Sequence, residues 1–137
     1  MRCVLYSDGA SRGNPGPAGA GWVITDDRGR ELAAAGIFLG HCTNNVAEYR
    51  ALLAGLEAAE KLPCRRIDLR LDSELIVRQL QGRYQVKHPA LKPLYQEARE
   101  RLAGFEAWGA SHIPRAQNAR ADQLANQGID GRAKSEG

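Results

Sequence analysis

Apolar residues sit in short extended runs over the first forty positions and recur at helical spacing afterwards, so the chain reads as strands first and then helices alternating with strands. Arg2 to Ser7 is a β-rich run. Gly9 to Gly21 reads as a Gly/Pro/Asn loop whose Asn14-Pro15-Gly16-Pro17 cluster calls for a turn. Gly21 to Thr25 supplies a second strand, Asp26-Asp27-Arg28-Gly29 a hairpin turn, and Glu31 to Gly40 an antiparallel return. From Asn44 to Lys61 the residues Leu52, Leu56 and Ala59 share a helical face, and Pro63 stands just past the end. Further on, Arg66 to Leu71 is a strand, Glu74 to Gln81 a short helix, and Pro89 to Ala103 a helix bearing Leu91, Leu94, Ala98 and Leu102. A strand over Ala107 to His112 precedes a last helix from Asn118 to Gln127. Residues 1–129 are expected to form the folded domain, with the polar, Gly-containing stretch 130–137 as a frayed tail.

This order predicts an α/β fold, a mixed sheet covered by helices with right-handed crossovers between its parallel strands. The active crevice of such a sheet lies at the carboxyl ends of parallel strands. Asp8 follows the first strand and Asp72 the fourth, so both carboxylates emerge at one edge if those strands are neighbours. Glu48 precedes Leu52 by one helical turn and therefore points inward, where an unpaired charge is costly. Asp122 lies beside the apolar Ala121, Leu124, Ala125 face of the last helix. Each also has a plainer reading: Asp8 as a turn residue, Asp72 as a helix N-cap, Glu48 as a partner of the helix dipole, Asp122 as a polar surface residue. Together, all four are compatible with one sheet edge and one site.

A length of 137 residues suits a single domain with its own core. Nothing approaches a membrane-spanning apolar run, and Cys3-Val4-Leu5-Tyr6 is too short for a signal peptide, so the expected location is the cytosol. Cys3, Cys42 and Cys64 are odd in number and lack CxxC spacing; reduced, packed thiols are expected. A net charge of +3 points only weakly toward polyanions. Monomer is the expected state, because no heptad or long apolar stripe stands out.

Clustered carboxylates repel one another unless cations neutralise them, and hard oxygen donors select Mg²⁺ or Mn²⁺ over zinc. Two such ions about 3.5 to 4 Å apart suit in-line phosphoryl displacement, which makes phosphodiester hydrolysis the natural chemistry.

The segments Tyr6-Ser7-Asp8-Gly9, Asn14-Pro15-Gly16-Pro17, Gly19-Ala20-Gly21-Trp22, Thr43-Asn44-Asn45-Val46-Ala47-Glu48, Asp72-Ser73 and Asn118-Ala119-Arg120-Ala121-Asp122 closely resemble the ribonuclease H family, type 1. The resemblance spans nearly the whole chain, and Thr-Asn-Asn-x-x-Glu is its most specific element. It implies a five-stranded sheet of order 3-2-1-4-5 flanked by helices, and endonucleolytic cleavage of the RNA strand of an RNA/DNA hybrid to 5′-phosphate and 3′-hydroxyl products. By resemblance, two Mg²⁺ ions, with Mn²⁺ as a substitute, are held by Asp8, Glu48, Asp72 and Asp122, and Asp8 bridges both. Glu48 and Asp72 hold the ion near the leaving 3′ oxygen, and Asp122 helps hold the ion carrying the attacking water.

Substrate reading is expected from 2′-hydroxyls in a wide, shallow minor groove, with weak sequence preference. Gly9 offers close backbone approach. Asn44 and Asn45 match family positions that contact the minor groove, and Asn14 and Thr43 match positions that bind a DNA-strand phosphate. Asn14 also reads as a turn residue and Asn44 as a helix cap. His112 stands ten residues before Asp122, where the family carries a mobile histidine, and reads equally as a strand-end residue. The Gly-rich loop usually found after it is missing, so Arg115 is the alternative group for attracting phosphate. His41 and His88 read as surface residues. Some family members insert a basic protruding arm before the third helix; here Gly82 to His88 takes its place, with Arg83, Tyr84, Lys87 and His88 as a small basic, aromatic patch or a solvated connector. The alternatives are an armless variant that also cleaves RNA/RNA duplexes, a domain of a larger polymerase-associated protein, and a hybrid-binding module without catalysis.

Overall fold

The computed structural model describes residues 1–136, with side chains through Gly131. Its elements are β1 (Arg2–Ser11), β2 (Gly16–Asp26), β3 (Glu31–Cys42), α1 (Asn44–Glu60), β4 (Arg66–Leu71), α2 (Glu74–Leu80), α3 (Lys92–Ala103), β5 (Ala107–His112), a 3₁₀ turn (Arg115–Asn118) and α4 (Ala119–Glu136). The five strands form one sheet of order β3-β2-β1-β4-β5. β1 pairs antiparallel with β2 and parallel with β4, β2 and β3 are antiparallel, and β4 and β5 are parallel. The mixed sheet and its strand order are those the sequence and the resemblance predict.

Strand alternation divides β1 between two helical layers. Cys3 and Leu5 join the main apolar core with Leu52, Leu56, Ile67, Leu69, Ile76, Leu80 and Leu102 from α1, β4, α2 and α3. Tyr6 and Asp8 lie on the opposite side, which α4 covers. α4 sits so close that a side chain on Gly21 would meet the Ala121 carbonyl oxygen at 2.0 Å. No helix among the described residues is long and apolar enough to cross a membrane.

Several boundaries differ from the sequence reading, each for a local reason. The expected loop Gly9–Gly21 is mostly strand, because Gly9 to Ser11 pair with Ala20 to Ala18 and only residues 12–15 turn. Small residues there admit α1 and α4 from either side, and this packing overrides weak β-propensity. α3 begins at Lys92 rather than Pro89, after a turn in which the Leu91 and Lys92 amides both donate to the His88 carbonyl. α4 runs past Gln127 to Glu136 through Gly128, where any side chain would collide with Ile37 of β3 at 2.4 Å. The tail expected from residue 130 thus falls within this helix as far as Glu136, and the side chains of 132–137 lie outside those described. Between α2 and α3 the described chain holds no further helix, so the protruding arm is absent.

The cysteine expectation is corrected. Cys3 and Cys64 form a disulfide with Cα atoms 5.7 Å apart across a sequence separation of 61. The parallel β1–β4 ladder sets Cys3 opposite Ile67, which carries the chain just before β4 back to the start of β1. Spacing rules read local motifs and are blind to such a long-range pair. Cys42 is free and half-buried.

Candidate active site

Parallel pairing of β1 with β4 ends at Ser7 opposite Leu71. The next residue after each is an aspartate: Asp8, still in β1 and paired with Gly21 of β2, and Asp72, just past the end of β4, so the two carboxylates stand side by side. Glu48 enters from α1, whose start is fixed by the Thr43 hydroxyl accepting the Val46 N–H at 3.3 Å. Asn14 Oδ1 accepts the Asn44 N–H at 3.0 Å and ties the β1–β2 turn to the same helix end. Thr43, not Asn44, is thus the cap of α1. Ser73, not Asp72, caps α2, by accepting the Ile76 N–H, which leaves Asp72 free for the cleft.

Gly9 makes this convergence possible. A side chain there would meet the Ala47 carbonyl carbon at 2.2 Å and the Glu48 nitrogen at 2.3 Å, so only glycine lets the first turn of α1 rest on β1 beside Asp8.

Asp8, Glu48 and Asp72 each offer an oxygen, and these oxygens lie within 4.8 Å of one another. Asp8 is 5% exposed and Glu48 6% exposed. Burial, then the neighbouring Glu48 charge, pushes the Asp8 carboxyl up to about 10; Asp72 and Asp122 add to the rise. Burial raises Glu48 to about 7, with the Asp72 charge in support and hydrogen bonding from Asp8 and the Gly9 backbone opposing. Such a set cannot be fully ionised near neutral pH without a cation. All of its donors are oxygens, and the residues present fit a hard divalent ion such as Mg²⁺ or Mn²⁺.

All four sequence-predicted carboxylates line one open cleft of about 420 Å³, together with Gly9, Arg12, Asn44 and Arg115. Asp122 reaches it from α4. Arg115 is exposed within this cleft, whereas His112, opposite Leu71 at the end of β5, is exposed and not among its lining residues. Asn14, Thr43, Asn44 and Asn45 come together in a second cleft of about 310 Å³ with His88 and Leu91, and Asn44 lines both. The sequence reads His88 as a surface residue and as part of a small basic, aromatic patch with Arg83, Tyr84 and Lys87. It is exposed, but its Nδ1 accepts the Ala90 N–H at 3.1 Å, which fixes the ring beside Asn14 and Thr43. The basic, aromatic composition of the connector was the signal for it, though not for its place beside Asn14 and Thr43. Arg12 was missed too, and nothing in its local sequence marks it. Its guanidinium donates to Asp130 at 2.7 Å and Asn126 at 3.3 Å and stays at the rim of the carboxylate cleft.

The strand order and this cleft define a ribonuclease H-like α/β domain with an all-oxygen cation site. A family model described as reverse transcriptase-like matches residues 6–128. Ribonuclease HI of Halobacterium salinarum is 50% identical over 129 residues, which are 94% of this chain and 65% of that protein. The crystal structure of RNase H1 from that archaeon superposes with a TM-score of 0.93 at 48% identity, covering 96% and 99% of the two chains. The N-terminal RNase H domain of a Mycobacterium tuberculosis protein superposes with a TM-score of 0.94 at 43% identity, covering 100% and 99%. LC11-RNase H1, solved in complex with an RNA/DNA hybrid, gives 0.90 at 45% identity over 96% and 99%. The chain belongs to the ribonuclease H family, type 1. It spans 65% of the length of the Halobacterium relative and 37% of the mycobacterial bifunctional protein, whose matched region is 46% identical.

Proposed function

We propose that this domain is an endoribonuclease that hydrolyses the RNA strand of RNA/DNA hybrids with divalent cations, two per site, leaving 5′-phosphate and 3′-hydroxyl ends. The observation that carries this reading is the convergence of Asp8, Glu48 and Asp72 within 4.8 Å while two of the three are buried. Such an arrangement destabilises the empty protein and becomes favourable only around positive charge. Mg²⁺, or Mn²⁺ in its place, supplies an activated water and neutralises charge on the leaving oxygen. Asp8, central to the cluster, would hold both ions; Glu48 and Asp72 would hold the one on the leaving-group side and Asp122 the one on the water side.

The remaining residues position the duplex. Gly9, Asn44 and Asn45 offer backbone approach and amide groups to the minor groove, where 2′-hydroxyls distinguish the RNA strand. Asn14 and Thr43 face the second cleft, which suits a phosphate of the DNA strand. Arg115, inside the carboxylate cleft, is better placed than His112 to attract phosphate and assist turnover. The short connector between α2 and α3 offers only the exposed Arg83, Lys87 and His88 for gripping the DNA strand, and duplex RNA is the alternative substrate that the cleavage comparison separates from hybrid.

Cleavage of end-labelled hybrid, duplex RNA and duplex DNA in Mg²⁺, Mn²⁺ and EDTA tests the reading, with Asp72→Asn as control. Metal-dependent cutting of the hybrid's RNA strand, absent from the mutant, is the expected result. Hybrid bound but uncut in every metal would leave a binding module.

A further inference from the structure

Asn118 belongs to the segment that carries Asp122. It is 1% exposed, at the end of the 3₁₀ turn that leads into α4. Its Nδ2 donates to the main-chain oxygen of Ser7 at 2.9 Å, a contact between residues 111 apart in sequence. Ser7 is the last rung of the β1–β4 ladder and the residue immediately before Asp8. Asn118 closes the 3₁₀ turn, and Asp122 follows four residues later in the first turn of α4. The segment that meets Ser7 through Asn118 also meets the next residue, Asp8, through Asp122.

The next turn completes a seam. Asn126 donates through Nδ2 to the Asp122 carbonyl at 3.0 Å, and its Oδ1 accepts from Arg12 at 3.3 Å. Arg12 also pairs with Asp130 at 2.7 Å. Asp122 is thus flanked by two attachments of α4 to the β1 chain, one at Ser7 and one at Arg12. Asp8 and Asp122 are both acids, and once a cation has ionised both, their proximity has to be held by such neighbours. Packing alone does not call for an amide at 118. Asn118 Oδ1 is buried without a protein hydrogen-bond partner, and an apolar residue would fill the space without leaving a polar atom there.

We propose that Asn118 is a positioning residue: by fastening the start of α4 to Ser7 it holds Asp122 against Asp8 and so preforms the cation site. This rests on the metal-dependent reading above. Removing the bond leaves the four carboxylates in the sequence but lets Asp122 drift. The consequence is weaker metal binding and slower chemistry. The hybrid contacts made by Asn14, Thr43 and Asn45 are unaltered because these residues lie on other elements; Arg115, in the same 3₁₀ turn as Asn118, is the one substrate contact that shares its segment.

The experiment compares wild type with Asn118→Ala, using calorimetry with Mn²⁺ alone, steady-state cleavage of hybrid across Mg²⁺ concentrations, and thermal melting in EDTA. The expected result is Mn²⁺ affinity and kcat each lower by about tenfold. KM for the hybrid should be unchanged, and much of the lost kcat should return at high Mg²⁺. A lowered melting temperature with Mn²⁺ affinity and kcat intact below it would overturn the proposal and leave Asn118 a stabilising residue only. Should Asn118→Ala fail to fold, Asn118→Ser, which keeps a donor of shorter reach, replaces it under the same criteria. Wild-type protein that cleaves hybrid but shows no change in either variant refutes the positioning role alone. Wild-type protein that binds no Mn²⁺ refutes this proposal, and the nuclease reading falls with it only if hybrid is also left uncut in Mg²⁺ and Mn²⁺.

Discussion

Asp8 is the residue on which the chemistry and the instability of the cleft both turn. Asp8→Asn removes a charge that several kcal/mol of transition-state stabilisation depends on, so cleavage should fall by about a thousandfold or more, read as single-turnover rate on hybrid. The same change relieves repulsion among buried acids, and the melting temperature in EDTA should rise. Proton linkage gives a second test. Asp8 and Glu48 are raised from 3.8 and 4.5 to about 10 and about 7. Each therefore contributes stability to the metal-free fold that is fully present below its ordinary value and lost as pH climbs through its raised value. Denaturant midpoints in EDTA should drop between about pH 4 and pH 10 through these two groups, and divalent cation should flatten the profile. Cation binding at neutral pH should also expel the proton from Asp8, visible as a binding enthalpy that varies with the buffer's ionisation enthalpy. The four carboxylates were legible because strand ends and a helical turn fix their direction locally. Arg12 was not, nor was the place of His88 beside Asn14 and Thr43, since each joins its cleft only through contacts that the tertiary fold creates.

Close approach is the theme among the elements. α1 rests on β1 through Gly9 and α4 on β2 through Gly21, with backbone where side chains would normally stand. Gly9→Ala forces backbone apart at its tightest point and should destabilise the fold by roughly 3 kcal/mol, measured by urea titration, with loss of cleavage even where the protein stays folded. These contacts also explain why the sequence misled about β1 and β2. A run of Gly, Ala and Pro signals a loop when each residue is judged alone, yet here small size is what a strand between two helices demands. Likewise α4 continues through Gly128 because the helix must pass over Ile37. Strand order, by contrast, followed from the alternation of element types and from the resemblance.

For the whole molecule the Cys3–Cys64 bond is the largest departure from expectation. It closes a loop that holds β1, β2, β3 and α1. Chain-entropy arguments for a loop of that length give a stabilisation of roughly 4 kcal/mol. Reduction by a dithiol, or Cys3→Ser, should lower the urea midpoint accordingly without moving the carboxylate cleft, which lies at the other end of β1. Unchanged midpoints under both treatments would mean that the bond adds nothing in solution. The closed loop has a further consequence. The exposed hairpin at Asp27 and Arg28 lies inside it, so a protease that cuts there would convert one chain into two that remain tethered. Such a nicked protein would migrate at full length on a non-reducing gel and separate into two fragments only when reduced.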